Sequence, residues 1–321
     1  MGTGWDSTGS PIENREDIVM SHRSLFPPAT RSDRHPNRQI GGFLFIVPSL
    51  FVLLFVITYP LLYGVYISLF NTNLVNRWNF VGLKYYGSIL TSMEFYKSTG
   101  ITFGYTVLVV LGHFILGSIL ASIINKPFRG RLLFRTILLL PWIMPDVSVA
   151  LIYKWILNPS YGILNQMMMD AGMISEPITW FSSGSLAFIC VVLISVWKGY
   201  PLVMLLVLAG LQSVPDSIRE AAVIDGASRW QVQRYVVIPS LKPVMLSALI
   251  LDTVWWFKHF TIVWITTNGG PDGATNLLSI GIFKEAFENL RFGKAATMAV
   301  LVFFLCYFIG ILYRKVLKDE T

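Results

Sequence analysis

Asp252, Trp256 and His259 recur at i, i+4 and i+7, a spacing that places a carboxylate, an indole and an imidazole on one face of a helix. Such a set suits recognition rather than bond making. Hydroxyl groups want paired donors and acceptors, and an aromatic face suits the apolar side of a polyol ring. The same residues also fit a second reading, a hydrogen-bond network between subunits flanked by an interfacial belt of Trp255, Trp256 and Trp264. Further charges lie in otherwise apolar runs: Asp146 beside Pro145, Lys154, Lys198 beside Gly199 and Pro201, and Lys258. A charge at the centre of a bilayer costs about 2.5–3.5 kcal/mol on insertion scales, so these residues should face a cavity or a partner. Lys154 is close enough to a span end to snorkel. Asp146 divides evenly between a structural and a pathway role, and Lys198 with Gly199 and Pro201 marks an expected helix break. Tyr153, Trp197 and Tyr200 complete the candidate pathway set.

Other chemistries lack their residues. His22, His35, His113 and His259 have no metal-ligand spacing. The Gly293-Lys294 pair lacks both the upstream glycine and the following hydroxyl of a phosphate-cradling loop. No G-x-S-x-G elbow is present, and Cys190 and Cys306 sit apart in apolar runs. The expectation is a chain that is not an enzyme and binds no metal.

The elements that must position these residues are membrane spans. The 321 residues are 54% hydrophobic and 13% charged, with a mean hydropathy of +0.60, against roughly 25% charged residues in soluble domains. About 20 helical residues cross the roughly 30 Å hydrocarbon layer. Six runs meet that length, at about 41–70, 98–125, 132–157, 186–211, 241–267 and 295–312. Residues 1–38 read as a flexible cytoplasmic tail, 39–315 as the transmembrane domain and 316–321 as a C-terminal tail, and Met20 is an alternative translation start.

The net charge of +7 is explained by topology. Sixteen of the 25 basic residues fall in the first tail, the loops near 126–135 and 212–242, and the C-terminus, and six fall on the other side. The positive-inside rule then puts both termini in the cytoplasm, and no nucleic-acid partner is needed.

The longest cytoplasmic connection, 212–240, reads as helix, turn, helix. Ser213 is a candidate N-cap with Asp216 three residues on, Pro215 suits a first turn, Gly226 can end the first helix and Ser228 can cap the second. Ile218, Ala221, Ala222 and Ile224 would share a face that another protein can approach, and Pro239 would end the excursion. An ordinary amphipathic loop lying on the membrane is the bland reading.

Glu220-Ala221-Ala222, Gly226, Val236 and Ile238-Pro239 resemble the E-A-A-x-x-x-G-x9-I-x-L-P loop of bacterial ABC-importer permeases, with Val236 and Ile238 in place of the consensus Ile and Leu. Leu138-Leu-Leu-Pro-Trp142, Asn158-Pro159, Trp197-Lys-Gly-Tyr-Pro201 and Thr267-Asn-Gly-Gly-Pro271 are similar to the carbohydrate branch, the relatives of the maltose and glycerol-phosphate permeases. Thr261 departs from it where many relatives carry Asp.

The resemblance, over about residues 40–315, implies an all-α, six-span membrane protein with the type I ABC-importer permease fold. It implies a bacterial inner-membrane location and binding-protein-dependent import of a sugar or sugar-like solute by alternating access. Glu220, Ala221, Ala222, Asp225, Gly226 and Pro239 would form the coupling contact with a separate ATPase dimer that uses ATP and Mg, no cofactor being held by this chain. A second permease subunit, as a heterodimer, and an extracytoplasmic solute-binding protein would complete the assembly. Alternatives are a non-sugar solute, a homodimer, or an ion-coupled secondary transporter using Asp146, Asp252 or Lys258.

Overall fold

The computed structural model describes residues 46–318, with side chains through residue 315. The expected tail 1–38 and the Met20 start lie outside the described residues, and of the 316–321 tail only the backbone of 316–318 is described. The chain divides into two packing units, Met1–Leu61 and Leu62–Thr321. Within the described part of the first, Phe51, Phe55 and Tyr59 stack in succession along a helix, with ring centroids 6.3 and 5.8 Å apart.

The order of elements is α1 (Ile46–Ser68), a hairpin of β1 (Phe70–Thr72) and β2 (Trp78–Phe80), α2 (Lys84–Leu90) and α3 (Met93–Ile124). Next come α4 (Arg131–Ile143), α5 (Asp146–Ile156), α6 (Ile163–Asp170), α7 (Gly184–Ser213) and α8 (Asp216–Ile224). The chain continues through α9 (Arg229–Val232), α10 (Ile238–Phe257), α11 (Thr261–Thr267), α12 (Leu278–Phe283) and α13 (Phe292–Lys318). Five helical stretches are long and apolar enough to cross a membrane, and the bent pair α4–α5 makes a sixth if it counts as one span.

That bend departs from the continuous span expected at 132–157. The two halves meet at 94°. Proline disfavours the helical region for the residue before it. Met144 accordingly sits at ψ 138 and Pro145 at ψ 140, two extended residues that redirect the chain before Asp146 starts α5. The small antiparallel hairpin, with Phe70 opposite Phe80 and Thr72 opposite Trp78, also adds strand to a chain expected to be wholly helical.

Three apolar clusters fill the second unit, the third gathering Ile89, Phe95, Phe257, Leu278 and Met298. Tyr105, Val149, Val191, Ile194, Trp256 and Ile262 join α3, α5, α7, α10 and α11 in one. Ala121, Ile124, Leu208, Leu211, Val232, Val237 and Leu241 tie the other ends of α3 and α7 to α9 and α10. The many large apolar residues left exposed on α3, α4 and α13, among them Leu111, Ile115, Leu133, Phe304 and Phe308, fit a lipid or protein environment rather than water.

Candidate functional site

The broken span is held by a residue from another helix. An α-helix leaves its last carbonyls without partners. At the end of α4, Lys198 Nζ donates to the carbonyls of Trp142 (2.9 Å) and Met144 (2.8 Å), and lies 3.4 Å from Asp146 Oδ1 at the start of α5. One ammonium thus satisfies the end of one half-span and the carboxylate that opens the next, where negative charge is favoured. Tyr200, two residues further along α7, donates its hydroxyl to the Leu138 carbonyl at 2.9 Å. The break expected at Lys198-Gly199-Pro201 is absent, because α7 runs through Pro201 without interruption. Lys198 serves the break in α4–α5 instead.

Gly199 is required by close approach. A Cβ there would strike the His113 ring and come within 2.6 Å of Trp256 Cζ2. Around that gap the structure gathers Asp252, Trp256 and His259, all less than a tenth exposed. Trp256 is flanked by the rings of His259, at a centroid distance of 4.4 Å, and His113, at 5.0 Å. Asp252 Oδ2 pairs with His113 Nδ1 at 2.8 Å, and His113 Nε2 reaches the Ser195 carbonyl at 3.1 Å. Tyr105 and Ser195 share a hydroxyl contact of 2.8 Å nearby.

The three sequence-selected residues therefore come together, but the open wall expected of them is covered by α3 and α7 in this conformation. Asp252 finds its partner within the chain, through a histidine that spacing alone passed over. The outward members of the same segment are Leu251, Trp255 and Lys258, with Lys258 Nζ 5.7 Å from the Trp255 ring centre. Tyr153 and Trp197 pack edge to face at 5.4 Å, both partly exposed. Lys154 is exposed and donates to the Ile265 carbonyl at 3.3 Å.

The 212–240 connection is built as follows. Gly226, at φ +85, turns the chain after α8 with no atom within 4 Å of a hypothetical Cβ. Ser228 and Gln231 form a reciprocal capping box on α9. Two expected roles change. Ser213 still belongs to α7 and donates to the Gly210 carbonyl, so Pro215 occupies the cap position of α8 without a side-chain bond. Pro239 does not end the excursion. It sits in the first turn of α10, where its missing N–H is harmless, and a widened turn over Gln233–Val237 carries the helix into it from α9.

Glu220, Ala221, Asp225 and Gly226 are exposed, whereas Ala222 packs inward on the second apolar cluster. Arg219 ties α8 to α7 by donating to the Leu211 carbonyl at 2.8 Å. Ile218, Val223, Ile224, Trp230 and Tyr235 remain exposed, an apolar surface on a short helix pair that is itself firmly anchored. Among the described residues, no group of three or more His, Cys, Asp or Glu side chains is placed to hold a metal ion.

Comparison with known proteins supplies a context for this geometry. A family model described as "Binding-protein-dependent transport system inner membrane component" matches residues 113–319. The trehalose/maltose transport system permease protein MalF of Thermococcus litoralis is 36% identical over 277 residues, 86% of this chain and 92% of that protein. The sulfoquinovosyl glycerol transport system permease protein SmoG of Agrobacterium fabrum is 31% identical, over 86% of this chain and 90% of its own length. Among solved structures, a chain of a bacterial ABC transporter involved in alginate import aligns with a TM-score of 0.73 at 20% identity, covering 87% of this chain and 97% of that one.

Proposed function

The chain belongs to the family of binding-protein-dependent transport-system inner-membrane components, and from that premise we propose that it is the membrane-spanning subunit through which an ATP-driven importer carries a sugar or sugar-like solute into the cell. The carrying observation is the anchored, outward-facing α8–α9 pair, with Ile218, Val223 and Ile224 exposed around Glu220, Ala221 and Asp225. Apolar side chains held this openly on a rigid support favour a protein partner. A separate ATPase dimer docks there, and nucleotide-driven movement of α8 passes to α7 through Arg219 and to α3 and α10 through the second apolar cluster.

A second permease subunit and an extracytoplasmic solute-binding protein complete the assembly, with both termini of this chain on the cytoplasmic side. The pathway runs beside the α4–α5 break, past Tyr153, Trp197 and the exposed Trp255–Lys258 pair. The Asp146–Lys198 clamp and the Asp252–Trp256–His259 cluster then set which face is open. Alternating access needs two states with different contacts. A half-span hinge closed by a single ammonium is an element that two states can share unequally. The sugar assignment draws on the trehalose/maltose and sulfoquinovosyl glycerol relatives. The test is uptake of radiolabelled trehalose and maltose by proteoliposomes holding the full complex. Uptake that needs both ATP and the binding protein supports the reading, and uptake indifferent to ATP overturns it.

A further inference from the structure

The connection from α3 to α4 concentrates positive charge. Lys126, Arg129, Arg131 and Arg135 fall within ten residues, and no Asp or Glu occurs between Glu94 and Asp146. The end of α3 packs through Ala121 and Ile124 with Val232 and Val237, so this charge lies at the α8–α9 end of the second unit. The acids of α8 do not answer it. Asp216 pairs with Arg219 instead, and among the described residues none of the four basic side chains has a hydrogen bond or an ion pair. Topology accounts for the sign of this charge. It does not account for four neighbours left without a counter-charge.

Apolar side chains stand open beside the charges. Leu132 is 79% exposed and Leu133 67%, in the first turn of a helix that continues as an apolar half-span to Ile143. Gly130, at φ +82, turns the chain into that helix, and the exposed Phe128 ring meets Phe134 edge to face at 6.1 Å. A long basic side chain at such a helix start reaches headgroup level while its stem lies along apolar surface. Guanidinium groups bind phosphate oxygens through paired N–H donors, and basic residues grouped at a span end attract anionic lipid. Here cations and leucines adjoin each other where the half-span enters the bilayer. A phospholipid has the same adjacency of phosphate and acyl chain, and an acidic protein surface does not.

We infer that residues 126–135 form a binding site for an anionic phospholipid. Lys126, Arg129, Arg131 and Arg135 hold its phosphate region, and Leu132, Leu133 and Phe134 lie against its acyl chains. The consequence is mechanical. Lys198 holds the carbonyl end of α4 at Trp142 and Met144, and the lipid holds the other end, about 20 Å away for 13 residues at the helical rise. The half-span is thereby fixed at both ends, and the anionic lipid content of the membrane sets how firmly.

The test uses the full complex in nanodiscs of equal parts phosphatidylglycerol and phosphatidylcholine, with a photoreactive amino acid in place of Leu133 and the adducts identified by mass spectrometry. Phosphatidylglycerol should be enriched among them well above its share, and less so at high salt. Lys126→Gln/Arg129→Gln in the connection and Arg131→Gln/Arg135→Gln on the helix should each lower the enrichment, by as much as about fivefold for every charge removed. Arg131→Lys/Arg135→Lys keeps the charge and should keep most of the enrichment, which separates lost charge from misfolding. Adducts in the ratio of the bulk lipids, unchanged by the Gln variants, overturn the site. Adducts with the ATPase or the second permease in place of lipid assign the patch to a protein and overturn it too. Enrichment abolished by excess inorganic phosphate assigns the cations to a soluble anion and counts equally against a lipid site. ATP-dependent maltose uptake by wild type in proteoliposomes bears on the importer reading alone, so the two can fail separately.

Discussion

His113 on α3 and Asp252 on α10 form a fully buried pair, Nδ1 to Oδ2 at 2.8 Å, while the other ring nitrogen contacts the Ser195 carbonyl of α7 at 3.1 Å. The geometry fixes the proton count. A carbonyl only accepts, so His113 Nε2 carries a hydrogen, and one further proton lies between Nδ1 and Oδ2. Imidazolium with carboxylate, or imidazole with carboxylic acid, is neutral in sum. Three helices are therefore locked together without a net charge in the membrane interior.

Asp252→Asn keeps a donor for the Nδ1 atom of a neutral imidazole and should fold and insert nearly as wild type. Asp252→Ala leaves the histidine unpaired in a dry site and should cost about 3–5 kcal/mol, the usual penalty for removing one member of a buried pair. Thermal unfolding of the detergent-solubilised complex compares them. Equal loss in the Asn and Ala variants would show that the hydrogen bond is not what holds the helices.

Lys198→Met strips the Trp142 and Met144 carbonyls of their donor and leaves Asp146 without its cation. Transport should fall at least tenfold with the subunit still in the membrane. The Lys198→Met/Asp146→Asn double variant should be less impaired than the sum of its parts, with a coupling of about 0.5–3 kcal/mol, the range for residues in contact. Strict additivity in the four-way comparison of uptake rates counts against the clamp.

Gly226 is open on every side, so what a substitution meets is backbone strain rather than collision. A left-handed residue costs roughly 1–2 kcal/mol for ordinary side chains and less for asparagine. The order of residual uptake should be Gly226, then Asn, then Ala, then Val, with ATP hydrolysis progressively uncoupled from uptake. A flat series measured in proteoliposomes removes Gly226 from the coupling contact.

Gly199→Ala places a methyl group where the His113 ring and Trp256 already lie. Overpacking of this kind costs about 1–3 kcal/mol, and it should lower the unfolding temperature of the complex. The double variant with His113→Ala, which also breaks the pair with Asp252, should lose less than the sum of the two single losses, because the ring the new methyl group strikes is gone. Strict additivity would place the strain elsewhere.

The sequence is legible where the information is local. Apolar runs long enough for the bilayer announce the helices around α3, α7, α10 and α13, and Gly226 with Ser228 announces the turn and capped helix of the 212–240 connection. Direction and partnership are not local. Hydropathy over 132–157 sums to one span, although Pro145 holds Met144 extended and turns the chain by 94°. Lys198 reads as the site of a break in its own helix because its true partners, the carbonyls of Trp142 and Met144, are more than fifty residues away. His113 had no motif around it. Its meaning comes from Asp252, 139 positions later. The shared face of Asp252, Trp256 and His259 was visible from spacing, but not that α3 and α7 cover it.

The measurement that bears most directly on the account is site-specific photo-crosslinking from Asp225, the exposed residue at the cap position just after α8. A photoreactive amino acid placed there in the native membrane should yield an adduct with the ATPase subunit in both the nucleotide-free and the ATP-trapped complex, since the grip must persist through the cycle. Adducts confined to lipid or to another permease chain, with ATP-dependent uptake intact, would contradict the assignment of α8 as the coupling element.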